Sequence, residues 1–282
     1  MKSKAWLAYA LVTTVFWGVW GAFSELPTHH GFPDTLVYVV WSLTMLVPLA
    51  YALRVVGWRV PFDARSLFLG SMIGFTGAGG QMILFHAVHI GPTYLIFPVI
   101  ALSPVVTIGL SAIFLRERAS RVGWAGIVLA LLALPLFDYD PGGSLGGHGL
   151  AWFLLALVIM LAWGVQAYYI KLANRTMHAE SIFFYMTVTG LLLVPVALWM
   201  TDFSRPVNYG WQGPGLAAAT QMLNSVGALL LVHAFRHGKA IVVSPLVNAG
   251  APLVTSLISL AWLGIVPQPL KIVALVLALV AA

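Results

Sequence analysis

Charges and turn residues divide this chain into ten apolar runs, at about residues 5–25, 34–53, 66–88, 92–115, 122–138, 149–170, 181–200, 213–235, 240–263 and 269–282. A helix crossing the hydrocarbon core of a bilayer needs about 20 mostly apolar residues. The fifth run is short, and the tenth is still apolar at Ala282, so the native chain is expected to continue beyond it. The charge supply points the same way. The 282 residues include 14 basic and 8 acidic side chains, 8% of the chain, against roughly 25% in a soluble domain. That is too few to cover a soluble surface of this size. A soluble globular enzyme, a disordered chain and a nucleic-acid-binding domain are excluded. The runs do not alternate apolar and polar positions, which argues against a transmembrane β-barrel. With no cysteine, disulfides and thiolate–metal sites are excluded too.

Basic residues alternate between loops. Lys2, Lys4, Arg54, Arg59, Arg65, Arg116, Arg118, Arg121, Lys171, Arg175, Arg236 and Lys239 fall on one side of the expected topology, and only Arg205 and Lys271 on the other. The net charge of +6 is therefore a topology signal. The positive-inside rule puts both termini in the cytoplasm. No cleavable signal peptide is evident, since Lys2 and Lys4 simply precede the first span.

The two halves repeat. FHAVHIGPTYLIFPVI (85–100) aligns with VHAFRHGKAIVVSPLV (232–247), pairing His86 with His233, Ala87 with Ala234, Gly91 with Gly238 and Pro98 with Pro245 at an offset of 147. The same offset pairs Tyr38 with Tyr185 and Pro48 with Pro195; one residue off that register, Trp17-Gly18-Val19 meets Trp163-Gly164-Val165. Each half holds five spans. An odd number forces the second half to enter from the opposite side, as the charges already require. The expected fold is an all-α membrane protein of ten transmembrane helices in two inverted-topology five-helix repeats: residues 1–140, a connecting loop at 141–146, and residues 147–282. Such repeats typically hold a substrate site near the midplane and rock against one another.

FWGVWGAFSE in the first span, FPVIALSPVVTIGLSAIFLRERASRVGWAGIVLALLAL across spans four and five, and its weaker copy SPLVNAGAPLVTSLISLAWLGIVPQPLKIVALVLAL carry a resemblance over essentially the whole chain. The chain resembles the drug/metabolite transporter superfamily, specifically its EamA-type exporters, and within them is most similar to the YddG-type aromatic amino acid exporters. The resemblance implies an exporter of amino acids or related metabolites, with spans five and ten at the periphery. The second copy departs from the pattern, with LGIVPQPL in place of LRERAS. The small multidrug transporters of the same superfamily use a glutamate inside their first helix. This first span has none in its interior, so their proton exchange does not carry over.

All eight carboxylates lie at or beyond expected span ends, and no Lys or Arg is mid-span. A charge at the bilayer centre costs about 2.5–3.5 kcal/mol on insertion scales and is kept only for function. The site must therefore use aromatic faces, amides, hydroxyls and backbone groups. This disfavours an ion pump or carboxylate-based proton coupling. Spans three and eight each carry a small or polar face at helical spacing: Gly70, Gly74, Gly77, Ala78 and Gln81, against Ala218, Gln221, Asn224, Ser225 and Ala228. The glycines read as tight helix packing; Gln221 and Asn224 read as pathway lining or as paired interhelical hydrogen bonds. In spans four and nine, prolines free backbone carbonyls. Tyr94, Phe97 and Ala101 share a face with Pro98, and their counterparts Ile241, Ser244 and Asn248 share one with Pro245. Aromatic surface thus stands opposite hydrogen-bonding groups, which suits an amphipathic zwitterion. Trp17 and Trp163 lie mid-span, each followed by a glycine expected to leave room beside the ring; Trp20 and Gln166 are one turn on. Such rings attract ammonium groups through cation–π contact. Tyr38 joins this candidate lining. His86 and His233 read as gates at opposite mouths, as proton-sensitive groups or as interfacial residues reaching headgroups, and Pro98 and Pro245 as gating hinges or plain kinks.

Several signals are set aside. His86 and His89 have HxxH spacing without a carboxylate to complete a metal site. DYDPGG (138–143) reads as a solvated turn, SLGGHG (144–149) lacks a phosphate-loop lysine, and the sequon at Asn174 lies on the side expected to be cytoplasmic. The sequence thus points to a secondary transporter in a plasma membrane, of bacterial inner-membrane type. Its partners are a small-molecule substrate and the lipid bilayer, with no nucleic acid, cofactor or metal. Monomer and homodimer stay open. A membrane-embedded enzyme on a lipid-linked substrate, a multidrug-type exporter and a channel or receptor are the rival readings.

Overall fold

The computed structural model describes residues 4–90, 96, 99–138, 150–263 and 269–281, and these contain helices and no strand. In chain order the helices are α1 (Ala5–Phe23), α2 (Leu26–His29), α3 (Asp34–Thr44), α4 (Leu46–Val55), α5 (Ala64–Ile90), α6 (Ser103–Phe114), α7 (Arg121–Asp138), α8 (Ala151–Ala173), α9 (Ala179–Leu192), α10 (Val194–Met200), α11 (Leu216–His237), α12 (Ala240–Leu263) and α13 (Pro269–Ala281). Seven described segments are long and apolar enough to cross a membrane, with shorter apolar helices over Ser103–Phe114 and Arg121–Ala133. The architecture is an all-α, ten-span membrane fold of two inverted repeats. Spans two and seven are each broken in two, at Met45 and Leu193. Pro48 and Pro195 follow these breaks; a proline ring clashes with the carbonyl four residues earlier and supplies no amide donor. Asp63 caps α5, accepting from the Ser66 and Arg65 amides at 3.1 and 3.2 Å and from the Ser66 hydroxyl at 2.6 Å.

The basic loops gather at one end. Lys171 approaches Glu117 at 3.9 Å, the Lys239 ammonium donates to the Arg118 carbonyl, and Arg236 donates to the Met177 carbonyl at 2.9 Å. At the other end Asn208 bonds Gly31 and His30. Tyr9, near the start of α1, stacks on His233 and His237, whereas Lys171, in the last turn of α8, bonds the Phe235 carbonyl at 2.8 Å. Both contacts lie at the basic end, so α1 and α8 run in opposite directions.

The halves are interleaved. α1 packs on α11 and α12 of the second half, and α8 packs on α5 and α6 of the first. Glycines set the closeness. A Cβ on Gly18 would stand 2.3 Å from Val254 Cβ, and one on Gly164 2.4 Å from Val106 Cβ. The crossings are pinned by Thr255 Oγ1 donating to the Gly18 carbonyl at 2.8 Å and Thr107 Oγ1 to that of Gly164 at 3.1 Å. One expectation is corrected here: Gly18 and Gly164 admit the neighbouring helix, not their own tryptophan. Room for the rings comes from Gly227, beside Trp17, and Gly80, beside Trp163. Further along α5, Gly70 meets the Tyr185 ring and Gly74 meets Thr189, so this stripe packs on helices of the other half. α7 and α13 pack on each other beside α12.

Candidate functional site

Trp17 and Trp163, both singled out in the sequence, make related contacts in the two halves. Trp17 Nε1 donates to the Asn224 carbonyl at 3.3 Å, and Trp163 Nε1 to the Gly77 carbonyl at 3.2 Å. Asn224 and Gly77 are themselves repeat partners, so one indole–backbone bond is made twice across the pseudo-twofold. An indole N–H is a donor without acceptor capacity and costs free energy if left unpaired away from water. These bonds fix both rings between the halves. Both rings stay half-buried.

The surroundings of Trp17 are polar. Trp20 Nε1 donates to Gln221 Oε1 at 3.2 Å, Trp41 Nε1 to Asn224 Oδ1 at 3.0 Å, and the hydroxyls of Thr44 and Ser225 lie 2.9 Å apart. Gln221 and Ser225 are buried; Trp20 and Asn224 are half-buried. Trp41, from the first half of span two, was not picked out in the sequence. Its signal was its place one helical turn after Tyr38 on the same face. Tyr38 itself is buried and donates to the Gly190 carbonyl at 3.2 Å. Gln81 and Gln166 are half-buried; Gln166 lies against Gly77, the carbonyl partner of Trp163. On α12, Ser244 and Pro245 are buried, and the Asn248 amide, half-buried, donates back to the Ser244 carbonyl at 2.8 Å. His86 is exposed at the end of α5 remote from the basic loops. Tyr94, Phe97 and Pro98 lie outside the described residues.

The two proline-bearing spans differ. α12 runs through Pro245 and Pro252 unbroken, whereas a turn at Ala101 and Leu102 precedes α6, with Pro104 in its first turn. α12 is also graded. Ala240, Ile241, Val243, Ser244, Pro245, Val247 and Ala249 are buried, while Gly250 to Ser256 are all half-buried.

A polar junction ties helices of both halves together at the basic end. α6 ends in Leu115 and a left-handed Arg116 (φ 53°), with the Glu117 amide bonding back to the Ser111 carbonyl at 3.2 Å. This turn carries the Glu117 carboxylate to the start of α12, where it accepts the Ile241 amide at 3.2 Å. A carboxylate there also meets the positive end of the helix dipole. Lys171, beside it, donates to the Phe235 and Gly238 carbonyls at the end of α11. Four spans from both halves meet at one half-buried carboxylate–ammonium pair. Glu117 was overlooked as a site residue, though LRERAS is where the two copies diverge most. A second pair lies nearby: His233, the repeat partner of His86, approaches Glu180 at 3.6 Å, with side chains 19% and 14% exposed.

Among the described residues the span interiors carry no charge and the inverted halves interleave through their first helices, an arrangement that suits a small-molecule membrane transporter. The EamA-like transporter family model matches residues 4–137 and again 150–282, and the chain belongs to that family. Protein LicB of Haemophilus influenzae is 23% identical over 211 residues, 71% of this chain and 70% of LicB. A solved crystal structure of a protein 18% identical superposes with a TM-score of 0.81, over 100% of this chain and 95% of that one. At that identity the likeness concerns the fold.

Proposed function

We propose that the protein is an exporter of neutral amino acids, aromatic ones foremost, or of related small metabolites, working by alternating access in a bacterial inner membrane with both termini cytoplasmic. The carrying observation is the make-up of the span interiors: among the described residues every charged side chain lies within a turn of a helix end or in a loop, while the span interiors offer the indoles of Trp17, Trp20, Trp41 and Trp163 and the amides of Gln81, Gln166, Gln221, Asn224 and Asn248. An apolar body with a compact polar head matches such groups, and a bare inorganic ion does not. Supporting this reading, Glu117 and Lys171 join the halves at the basic end while α12 is less buried toward its other end, a difference that one state of an alternating-access cycle would have. With no carboxylate within the described span interiors, facilitated diffusion or exchange fits at least as well as proton antiport. His86 and His233 stand as gates at opposite mouths, and Pro245 as the hinge of α12.

The test is uptake of labelled amino acids by proteoliposomes, with and without a pH gradient and with unlabelled substrate inside. Saturable uptake accelerated by internal substrate is expected. Absence of flux for every amino acid defeats the substrate assignment. Flux without saturation points to a channel, and turnover of a lipid-linked substrate without solute movement points to the enzyme reading.

A further inference from the structure

Two amides on α11 are held in one orientation by donors that cannot reverse. Indole N–H groups donate and never accept. Trp20 Nε1 meets Gln221 Oε1, and Trp41 Nε1 meets Asn224 Oδ1. The amide oxygens are therefore committed to the indoles, and the NH2 groups must point away from them. Among the described residues neither NH2 group has an acceptor, and neither is among the sealed, unpartnered polar atoms, which are Thr14 Oγ1, Ser111 Oγ, Asn174 Oδ1 and Ser181 Oγ. Gln221 and Asn224 are three residues apart on α11 and so share a face. Trp41 comes from span two and Trp20 from span one, so the two amides are oriented independently. The result is a pair of amide NH2 groups, three residues apart on one helix, without an acceptor among the described residues and not fully sealed, beside half-buried indoles. Asn248 on α12 is turned the other way: its NH2 is committed to the Ser244 carbonyl, leaving Oδ1 as an acceptor.

We propose that Gln221 and Asn224 form the subsite for the carboxylate of the substrate, and that Trp20 and Trp41 set its polarity by fixing which end of each amide faces the pathway. This rests on the transport reading above and sharpens it. Ring faces alone would favour a cation. An ammonium arriving at Gln221 and Asn224 would instead meet N–H groups, which repel it, whereas a carboxylate would accept from both amides. The site therefore selects for the acid group, and an amine lacking it is discriminated against.

The test measures binding separately from transport. Purified protein is titrated calorimetrically with phenylalanine, 3-phenylpropionate (acid alone), phenethylamine (amine alone) and phenylalanine amide. The two carboxylates are expected to bind at least about 10-fold more tightly than the two ligands without one, in line with one or two hydrogen bonds to a charged acceptor. Asn224→Asp keeps an oxygen toward Trp41 and replaces the N–H groups with a second oxygen. It should weaken 3-phenylpropionate by about 10- to 100-fold and improve phenethylamine. Trp41→Phe frees the amide to rotate, so the acid-over-amine preference should narrow while acid binding persists. Circular dichroism and melting verify that the variants are folded. Phenethylamine binding as tightly as 3-phenylpropionate, an acid-to-amine ratio unmoved by Asn224→Asp in folded protein, or no binding of either carboxylate overturns the assignment. Selective binding of 3-phenylpropionate in a protein that moves no amino acid would keep this subsite and discard the amino acid reading.

Discussion

The alanine variant of Gly164 tests the interleaved architecture most directly. A Cβ there would lie 2.4 Å from Val106 Cβ, 2.9 Å from Val106 Cγ1 and 2.7 Å from the Ser103 carbonyl oxygen. Carbon pairs rest at about 3.5–4.0 Å, so α6 and α8 would have to separate by roughly 1 Å. Neither obstacle is the end of a flexible side chain. Overpacking of this kind costs about 1–3 kcal/mol, and weakening the Thr107 bond to the Gly164 carbonyl adds about 0.5–1.5 kcal/mol. Against this, alanine gains about 0.8–1.0 kcal/mol over glycine in a helix interior. The net expectation is a loss of about 2 kcal/mol. A Cβ on Gly109, which lies on α6 itself, would meet no neighbouring heavy atom within 4 Å, so Gly109→Ala should be neutral or stabilising by up to about 1 kcal/mol. The two alanines should differ by about 2–3 kcal/mol, roughly 30- to 150-fold in the unfolding equilibrium. Reversible unfolding of purified protein in mixed detergent micelles reads this difference. Coincident transitions for Gly164→Ala and Gly109→Ala would refute the close crossing of α6 and α8. Gly18→Ala, the repeat-related change against Val254, should follow Gly164→Ala.

Three further outcomes are expected. Glu117→Gln keeps an oxygen for the Ile241 amide but removes the charge facing Lys171, weakening the junction at the basic end by about 1–3 kcal/mol. The chain has no cysteine, so a single Ser244→Cys probe at this buried position on α12 should react faster with an impermeant maleimide added from the basic side in the Glu117→Gln background; an unchanged rate would exclude the junction as a gate. Hydrogen bonds from the Ser66 hydroxyl and amide hold the Asp63 carboxyl below its ordinary value near 3.8, so its contribution is present above that pH and is lost as pH falls through the lowered value. The melting-temperature gap between wild type and Asp63→Asn should shrink on going from pH 6 to pH 3, and a gap independent of pH would show that the cap carries no stability. Tyr185→Phe removes a hydroxyl donating to the Pro61 carbonyl at 2.5 Å and should cost about 0.5–1.5 kcal/mol; unchanged unfolding would mean that the loop before α5 is held by other contacts.

Much of the fold was legible in sequence because its signals are local. The ninth apolar run begins where α12 does, at residue 240, and the third begins two residues inside the start of α5. Apolar length and terminal charge decide these limits without reference to a partner. The breaks in spans two and seven follow from Pro48 and Pro195 in the same local way. The loop count placed Arg118 and Lys171 on one face, and the contacts of Lys239 and Glu117 put them at one end. The candidate site was legible only as residue types. Trp17, Trp20, Gln221 and Asn224 stood out, but not that Trp41 bonds Asn224 or that Glu117 joins α12 to Lys171 at the basic end.

By itself, then, the sequence determined the number of spans, their directions and the duplication, since each follows from hydropathy, charge or self-similarity along the chain. Only the tertiary structure decided which face of each helix meets which neighbour. In a chain with 61% hydrophobic residues, lipid-facing and protein-facing surfaces are equally apolar, and helix association rests on close packing and a few hydrogen bonds. The deciding contacts join residues far apart in the chain: Gly18 with Val254, Gly164 with Val106, Trp20 with Gln221 and Trp41 with Asn224. The direction in which an amide faces is fixed by its donor on another helix, and no periodicity in the sequence encodes it.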